Sequence, residues 1–335
     1  MNTILVTGAN GFVGTHTLKS LMGIEGINLI AACRDRSKLI SEFNGEVREG
    51  DYRDEHYLDK MLDGVDVVCN VMAWTSLWGH KKKSHELFYK PTINLIDKII
   101  EKKIKRLINI STTSAASPKN SADAMSMGIQ RSFWPHLCHV IEIENYMRNK
   151  ASSTTSMFNM RLGLFVGEHY ALGVLPVLLP RLKTHLVPWV AGGKTSLPLI
   201  DGRDIGEAMK CAAVCENLDG YQAFNIVGNE VPTVRVVIEY IHGKFAYPKP
   251  HFGVPFALAY PFAWLMEKLD PIVPWEPLIS RSIIHLLEEV SVDNERATTM
   301  IGYQPKHNWR DAVDIQIYEM NKNQKTAMSM SKPIV

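Results

Sequence analysis

The chain opens with a short β-branched run that leads into three glycines spaced Gly-x-x-Gly-x-x-Gly. The run covers residues 3–7, the glycines are Gly8, Gly11 and Gly14, and a helix-like segment follows through Met22. This order predicts a buried strand, a tight turn and a helix N-terminus. Backbone N–H groups and the helix dipole favour an anion such as a pyrophosphate there. The opening therefore predicts a dinucleotide site, and a glycine-rich surface turn is the alternative.

Composition narrows the class of protein. The chain has 335 residues, a formal net charge of +2 and five cysteines without a Cys-x-x-Cys pair. Its length fits one large or two modest domains. The balanced charge argues against nucleic-acid binding, and the cysteine pattern favours a reducing compartment without a metal site. Because the N-terminus lacks the basic start of a signal peptide, we expect a cytoplasmic protein. Its partner is expected to be a small-molecule substrate.

The longest apolar stretch runs from Phe252 to Met266 and is interrupted by Pro255 and Pro261. It is too short to cross a bilayer as a helix. We therefore expect no stable membrane insertion. A core or lid helix is the first interpretation of this stretch, and monotopic contact with a membrane is the alternative.

Strand-like and helix-like runs alternate through the first half of the chain, which is typical of a parallel sheet with helices on both faces. The fold class predicted is α/β, a Rossmann doubly wound parallel sheet with a smaller mixed C-terminal substrate domain. The predicted strands are residues 2–7, 27–33, 46–50, 65–70, 105–110, 156–161 and 224–227. The predicted helices are residues 11–22, 54–62, 84–101 and 134–149.

Domain boundaries follow from a change of texture near residue 167, where prolines and aromatics replace the alternation. Residues 1–166, joined by about 199–229, are predicted to form the dinucleotide-binding domain. Residues 167–198 and 230–321 are predicted to form a substrate or lid domain over the carboxyl ends of the strands, where open α/β sheets bind ligands. Residues 322–335 are predicted to be a flexible tail.

The end of the second predicted strand bears on the choice of dinucleotide. An acidic residue there would bind the ribose 2′-hydroxyl of NAD, whereas an arginine accommodates the 2′-phosphate of NADP. Arg34 fits the second role, with Arg36 or Lys38 as helpers. Asp35 would fit the first role after a shift of one residue. We favour NADP and keep NAD, or a merely solvated charged turn, as alternatives.

Several motifs in register resemble one known family. They are Thr7–Gly14 as T-G-x-x-G-x-x-G, Gly50–Asp54 as G-D-x-x-D, Val68–Ala73, Arg161–Gly167 as R-P-x-x-V-Y-G with leucine for proline, Leu199–Gly206, and Ile301–Pro305 as L-G-Y-x-P. Together they resemble an extended short-chain dehydrogenase/reductase of the NAD-dependent epimerase/dehydratase group. The 3β-hydroxysteroid-dehydrogenase-like and dihydroflavonol-reductase-like branch is the most similar. The resemblance covers about residues 2–320.

The resemblance implies a set of cofactor contacts. Asp51 and Tyr52 would receive the adenine, and Met72 and Ala73 would run beside the cofactor. It also implies that two long helices of the sheet domain could form a homodimer. The candidate cofactor-binding residues are Gly8, Asn10, Gly11, Phe12, Val13, Gly14, Arg34, Lys38, Asp51, Tyr52, Met72, Ala73, Ser111 and Leu164.

The resemblance also implies catalysis by a Ser or Thr, a Tyr and a Lys, the last two as Tyr-x-x-x-Lys early in a helix. The hydroxyl that polarises the substrate oxygen falls on Thr113, with Thr112 and Ser114 as close seconds. The alternative is that these hydroxyls only cap the strand end and contact the cofactor.

The Tyr/Lys pair is not where the resemblance requires it. Tyr146 and Lys150 have the spacing, but Lys150 lies only eleven residues before Arg161, too few for the family's helix to continue. Placing Glu144 on the family's glutamate assigns His136 to the tyrosine position and Val140 to the lysine position. Tyr146 lies ten residues further along the helix, about 15 Å away. Histidine can transfer protons near neutral pH, so His136 is a candidate acid, and a capping or core histidine is the alternative.

These observations predict an NADP-dependent member of the family with a nonstandard acid, acting on a small apolar or polyketide/steroid-like carbonyl or hydroxyl substrate. One alternative is a non-catalytic nucleotide-binding sensor or scaffold, because the Tyr/Lys pair is displaced. Another is a lyase or isomerase that uses the same pocket without redox chemistry.

Overall fold

The computed structural model describes residues 2–116, 118–169, 173–269 and 279–330. The strands are β1 (Asn2–Thr7), β2 (Ile27–Cys33), β3 (Glu46–Glu49), β4 (Val67–Asn70), β5 (Arg106–Thr112), β6 (Ser156–Leu162), β7 (Leu164–Val166), β8 (Trp189–Val190), β9 (Leu199–Asp201), β10 (Tyr221–Ile226) and β11 (Gly253–Val254). The helices are α1 (Phe12–Leu21), α2 (Glu55–Met61), α3 (Lys81–Ser84), α4 (Lys90–Glu101), α5 (Pro135–Lys150), α6 (Val174–Lys183), α7 (Gly202–Val214), α8 (Val234–Phe245), α9 (Phe256–Leu269), α10 (Arg281–Leu286), α11 (Glu295–Ile301) and α12 (Trp309–Met330).

Seven strands form one parallel sheet in the order β10-β6-β5-β4-β1-β2-β3. This order confirms the predicted Rossmann fold class, because two series of strands run outward from β1. All seven predicted strands form, and the late strand near residues 224–227 joins the sheet edge as β10 beside β6. Two short pairs, β7 with β9 and β8 with β11, lie outside this sheet.

Helices cover both faces of the sheet because its strands are apolar on both sides. Val6 packs in one cluster with Leu18 of α1 and Ala208 of α7. Its neighbour Leu5 packs in the opposite cluster with Leu95 of α4. Successive side chains of a strand point to opposite faces, so a run without alternation requires two covered faces.

The C-terminal elements reach the loops that follow the strand ends. The hydroxyl of Ser282 in α10 donates to the carbonyl of Leu77, beyond β4. The Nε2 atom of His285 lies 2.9 Å from the carbonyl oxygen of Ser114, beyond β5. α10 therefore lies at the carboxyl edge of the sheet. The predicted domain boundaries and the flexibility of the tail stay predictions; α12 runs to Met330, and residues 331–335 lie outside the described residues.

The predicted apolar helix forms as α9, but the core interpretation is wrong for its large side chains. Ala259 and Ala263 face the protein, whereas Phe262 and Trp264 are exposed. Because the side facing the body carries small residues, it packs closely and leaves the bulky residues outside.

Candidate functional site

The glycine loop between β1 and α1 is closely packed. Gly8 has φ +58°, in the left-handed region that favours glycine. A Cβ atom on Gly14 would lie 2.2 Å from the carbonyl oxygen of Gly8, and one on Gly8 would lie 3.2 Å from the Met72 side chain. The N–H of Gly11 donates to the Gly8 carbonyl over 2.9 Å. Gly8 therefore requires glycine for its backbone shape, and Gly14 requires it for the close approach of the helix.

The N-terminus of α1 fits an anionic group. Its N-cap, Gly11, offers no side-chain cap, and the first turn, which includes Phe12 and the buried Val13, has no acidic residue. The side-chain amide of Asn10 donates to the carbonyl of Asp35 over 3.0 Å, tying the loop to the end of β2. The Phe12 ring stacks at 5.8 Å on Phe165. Uncapped N–H groups at a helix start are free to bind phosphate oxygens.

In the charged turn after β2, some side chains bind one another and Arg34 is exposed to solvent. The Asp35 carboxylate accepts from the N–H and hydroxyl of Ser37 and pairs with Lys38 at 3.0 Å. These bonds lower the pKa of Asp35. Arg34 is exposed immediately before this turn. Lys38, predicted to help bind the phosphate, is thus paired with Asp35 of the same turn.

The predicted adenine contacts lie beyond β3. The guanidinium of Arg53 binds both carboxylate oxygens of Asp51, with Nε at 2.9 and 3.0 Å, and lowers the pKa of Asp51. The hydroxyl of Tyr52 donates to the carbonyl of Leu87 over 3.3 Å, and burial raises the pKa of Tyr52 to about 12. Ala73 is exposed beside Met72 at the end of β4. Asp51 is therefore already bound by a guanidinium in this structure.

A cleft opens beyond β5 and contains the predicted catalytic hydroxyl. Thr113 is buried and lines this cleft, a narrow space of about 20 Å³, together with Leu164. The other wall comes from the C-terminal elements, through His285 and Glu288. A larger adjoining cleft, about 720 Å³ and open to solvent, shares Glu288 and is also lined by Phe256. The structure thus brings Thr113 and Leu164 to one cavity.

The other hydroxyls near Thr113 have local partners. Thr112 Oγ1 accepts the N–H of Ser114 over 3.2 Å and caps the turn after β5. The hydroxyl of Ser111 donates to Glu144 on α5. The capping alternative thus describes Thr112, and the predicted cofactor role of Ser111 stays a prediction.

His136 lies in the first turn of α5, in an aromatic pocket apart from this cleft. Its ring centroid is 4.9 Å from that of Phe88 and 6.0 Å from that of Trp74. Burial lowers the pKa of His136 to about 4, so the ring is neutral near pH 7. Its Nδ1 atom is buried and has no hydrogen-bond partner among the described residues. His139, one turn on, bonds to Ser84 at 2.8 Å.

Tyr146 and Lys150 lie at the other end of α5. The Tyr146 hydroxyl donates to the Asp97 carboxylate on α4, which raises the pKa of Tyr146 to about 12. Lys150 is the last residue of α5, exposed, with Nζ 5.4 Å from the Tyr146 ring centre. Val140 is buried in the core cluster beneath the sheet.

An interior row of polar side chains was not foreseen from the sequence. Thr7, Asn70, Asn109 and Asn159 are neighbours in register on β1, β4, β5 and β6. Thr7 donates to Asn70 at 2.9 Å, Asn70 to Asn109 at 2.8 Å, and Asn109 to Asn159 at 3.5 Å. Asn159 then donates to Glu144 at 2.8 Å. We call this row the amide ladder.

The ladder ends on a buried ion pair. Arg161 is fully buried and binds Glu144 through Nε at 3.1 Å and Nη2 at 2.6 Å. The same Nη2 donates to the carbonyl of Ser126 over 2.8 Å. Glu144, which was placed on the family's glutamate to assign His136, thus contacts Arg161 directly.

A second unforeseen cluster faces Thr113 from the C-terminal elements. Glu288 accepts from the Tyr260 hydroxyl, lies 3.4 Å from Arg131 and lies 3.2 Å from Nδ1 of His285. Burial raises the pKa of Glu288, but these hydrogen bonds and charges outweigh it and leave the pKa lowered. No motif marks His285 in the sequence, because its partner Ser114 is 171 residues away.

The fold and the closely packed glycine loop agree with a comparison of the sequence with known protein families. The profile of the NAD dependent epimerase/dehydratase family matches residues 4–227, about two thirds of the chain. The chain belongs to this family. Its sheet order and its glycine loop are those of a family member, and the resemblance drawn from the motifs is confirmed.

Several known proteins are similar to this chain over almost its whole length. The Escherichia coli protein YbjS is 23% identical over 327 residues, covering 90% of this chain and 93% of YbjS. The crystal structure of gox2253 has a TM-score of 0.73 at 21% identity, covering 96% and 99% of the two chains. MoeE5 in complex with UDP-glucuronic acid and NAD has a TM-score of 0.70 at 18% identity, covering 96% and 100%.

Membrane-spanning helices and metal-binding clusters are both absent from the described residues. None of the helices there combines the length and apolarity that crossing a membrane requires. The same part of the chain holds no group of three or more His, Cys, Asp or Glu side chains placed to share a metal ion.

Proposed function

We propose that this family member binds NADP(H) and acts as an oxidoreductase on a small apolar or polyketide/steroid-like carbonyl or hydroxyl substrate. The observation that carries the proposal is the placement of Thr113, buried beyond β5, in a cleft it shares with Leu164. The bound dinucleotide would accept or donate a hydride at its nicotinamide ring. The larger cleft beside that of Thr113 has the volume for such a substrate, and its lining by Ile129, Ala191 and Phe256 favours an apolar one.

The residues present fit the dinucleotide. Gly8 and Gly14 leave no room for a Cβ, and the uncapped start of α1 offers N–H donors to a pyrophosphate. Arg34 is exposed at the end of β2, where a guanidinium would meet a 2′-phosphate, and Asp35 is engaged by Ser37 and Lys38. This difference between Arg34 and Asp35 favours NADP over NAD.

Replacing Arg34 tests the choice of dinucleotide. Arg34→Ala removes the charge proposed for the 2′-phosphate, so the Kd for NADPH should rise about tenfold or more, with the Kd for NADH nearly unchanged. Lys38→Ala is the matched control, since Lys38 is paired with Asp35, and should change either Kd less than about twofold. Fluorescence titration measures both. Equal losses for NADPH and NADH in Arg34→Ala would contradict the assignment.

The proposed chemistry divides between two side chains. The Thr113 hydroxyl would donate to the substrate oxygen and polarise it. His136 lies outside the cleft of Thr113, so it would be the proton-transfer group for a substrate that extends from Thr113 to the aromatic pocket of His136. Burial lowers the pKa of His136 to about 4 and keeps its ring neutral. A neutral imidazole can donate a hydrogen bond from one nitrogen and accept at the other, and the free Nδ1 of His136 leaves that capacity unused.

Variants of these groups test the roles. With NADPH and saturating candidate carbonyl compounds, Thr113→Val and His136→Ala should each lower kcat about a hundredfold, the usual scale for one positioned donor or proton-transfer group. Tyr146→Phe is the control, because the Tyr146 hydroxyl is bound to Asp97 on α4, and it should keep nearly full activity. Activity lost in Tyr146→Phe but kept in His136→Ala would refute the assignment.

A second candidate function rests on Val140. A buried valine at the position of the family's lysine leaves no cation beside the ribose, which favours a nucleotide-binding sensor or scaffold without turnover. Tight NADPH binding with no oxidation of NADPH by any candidate substrate would support this function over the first. Reaction without net redox change, as in a lyase or isomerase, would appear as substrate conversion at constant NADPH.

We also propose the wider setting of this activity. The five free cysteines suit the reducing cytoplasm. A homodimer could form through α4 and α5, which pack side by side and are joined by the bond from Tyr146 to Asp97. Residues 1–166 with about 199–229 would bind the dinucleotide, and residues 167–198 and 230–321 would cover the substrate.

A further inference from the structure

Helix α9 carries its bulky apolar side chains on the outside. Of the twelve large apolar side chains that the described residues leave exposed, six lie between Phe252 and Leu269. They are Phe252, Leu258, Phe262, Trp264, Leu265 and Leu269, from 38% to 59% exposed. The side turned toward the protein holds Ala259, Ala263 and Glu267 instead. The polarity of this helix is therefore the reverse of an ordinary surface helix.

Four of the exposed residues of α9 form one stripe, and Trp264 lies on an adjacent side of the helix. Positions 258, 262, 265 and 269 recur at helical spacing, so they follow a single side of α9. Leu186 extends the stripe, because the N–H of Trp189 donates to the carbonyl of Phe252 over 2.8 Å and brings the two segments together. We call Leu186, Phe252 and the exposed residues of α9 the α9 face. A contiguous apolar surface of this kind marks an interaction site.

The charges at the α9 face are basic. Lys268 is exposed, with Nζ 5.9 Å from the Trp264 ring centre. The single acidic residue of α9, Glu267, is buried and paired with Arg281 at 2.7 Å. At the other end, Lys249 and His251 are exposed just before Phe252. The helix therefore presents no carboxylate to a partner, and its exposed charge is positive.

We propose that the α9 face docks the protein on the surface of an anionic lipid membrane, with α9 lying in the plane of the interface. Leucine, phenylalanine and tryptophan beside lysine is the composition that partitions into the headgroup region. The helix is about 21 Å long, less than the hydrocarbon thickness, so it lies on the membrane without crossing it. The positive rim matches anionic headgroups.

The charge pattern favours a membrane over a second copy of the chain. In a symmetric dimer the same surface is used by both copies, so Lys268 and the basic residues near Phe252 would meet a surface that is itself basic and offers no carboxylate from α9 to pair with. An anionic membrane offers negative charge to each of them.

Vesicle flotation tests the proposal with the full chain. The wild type should float with vesicles of phosphatidylcholine containing about one third phosphatidylserine, and binding should weaken with phosphatidylcholine alone or at high salt. The triple variant Phe262→Ser/Trp264→Ser/Leu265→Ser should lower the bound fraction at least about tenfold, since each side chain contributes apolar burial. Lys268→Glu should weaken binding to the anionic vesicles only.

Val214→Ser is the matched control, because Val214 is an exposed apolar residue on α7, and it should float like the wild type. NADPH binding and the melting temperature show that each variant is folded. The proposal is overturned if the wild type stays below the vesicles at low salt, or if the triple variant floats as well as the wild type. It is also overturned if light scattering shows a dimer that the triple variant dissolves, which would make the α9 face a contact between copies.

Discussion

Replacing Arg161 by methionine should lower the free energy of unfolding by about 3–5 kcal/mol, the scale for a buried ion pair that loses one partner. The pair is fully enclosed, so the Glu144 carboxylate would be left without its two bonds to the guanidinium. Methionine keeps the volume of the side chain, so the loss would report the unpaired charge and not a large cavity. Urea denaturation measures it.

Two further variants separate charge from packing. Glu144→Gln/Arg161→Met removes both charges and should recover part of the lost stability, because the amide can still bond to Ser111 and Asn159. Lys82→Met is the control, since Lys82 and Glu86 form an exposed pair at 3.8 Å, and it should cost less than about 1 kcal/mol. A loss below about 1 kcal/mol in Arg161→Met would show that the pair contributes little to folding.

The second large effect is expected at Gly14. Gly14→Ala places a methyl group 2.2 Å from the Gly8 carbonyl oxygen, so α1 must move away from β1. We expect the Kd for NADPH to rise more than about tenfold and the stability to fall by about 1–3 kcal/mol, as overpacking usually costs. Isothermal calorimetry and thermal melting measure the two effects.

Gly243→Ala provides the matched control. Gly243 lies inside α8, and a Cβ there would meet nothing within 4 Å. This change should leave NADPH binding unaltered and stabilise the protein by up to about 1 kcal/mol, because alanine is the better helix former. If Gly14→Ala fails to fold, Gly11→Ala gives a milder clash, with its Cβ 3.2 Å from the Gly8 oxygen. NADPH binding as tight as in the wild type for both would contradict the proposed site.

Local sequence patterns predicted the sheet because its signals are short in range. The β-branched run of residues 3–7 and the glycines after it define β1, the turn and α1 without help from distant residues. The late strand β10 was recognised from residues 224–227, three of which are apolar, and it joins the same sheet beside β6. Glu144, the residue from which His136 was assigned, is in direct contact with Arg161, and the assignment of His136 itself stays a prediction.

The features that the sequence did not predict depend on contacts between distant segments. His285 reaches Ser114 across 171 residues, and no pattern near either of them announces the contact. The side of α9 that faces the protein is set by Ala259, Ala263 and Glu267, so of the predicted core or lid helix the core part is wrong for the large side chains. His136 could be placed on α5 by counting, but its aromatic neighbour Phe88 comes from another segment.

The amide ladder has a consequence for how this sheet assembles. Most of the buried side chains of β1, β4, β5 and β6 are apolar, so hydrophobicity distinguishes poorly between one neighbour and another. Each amide of the ladder finds a partner only when the strands lie in this sequence and at this register, since a slip by one residue would turn the asparagines to the opposite face. A misordered sheet would leave buried amides unsatisfied. The four buried polar residues of the ladder thus favour this strand order and register over the alternatives.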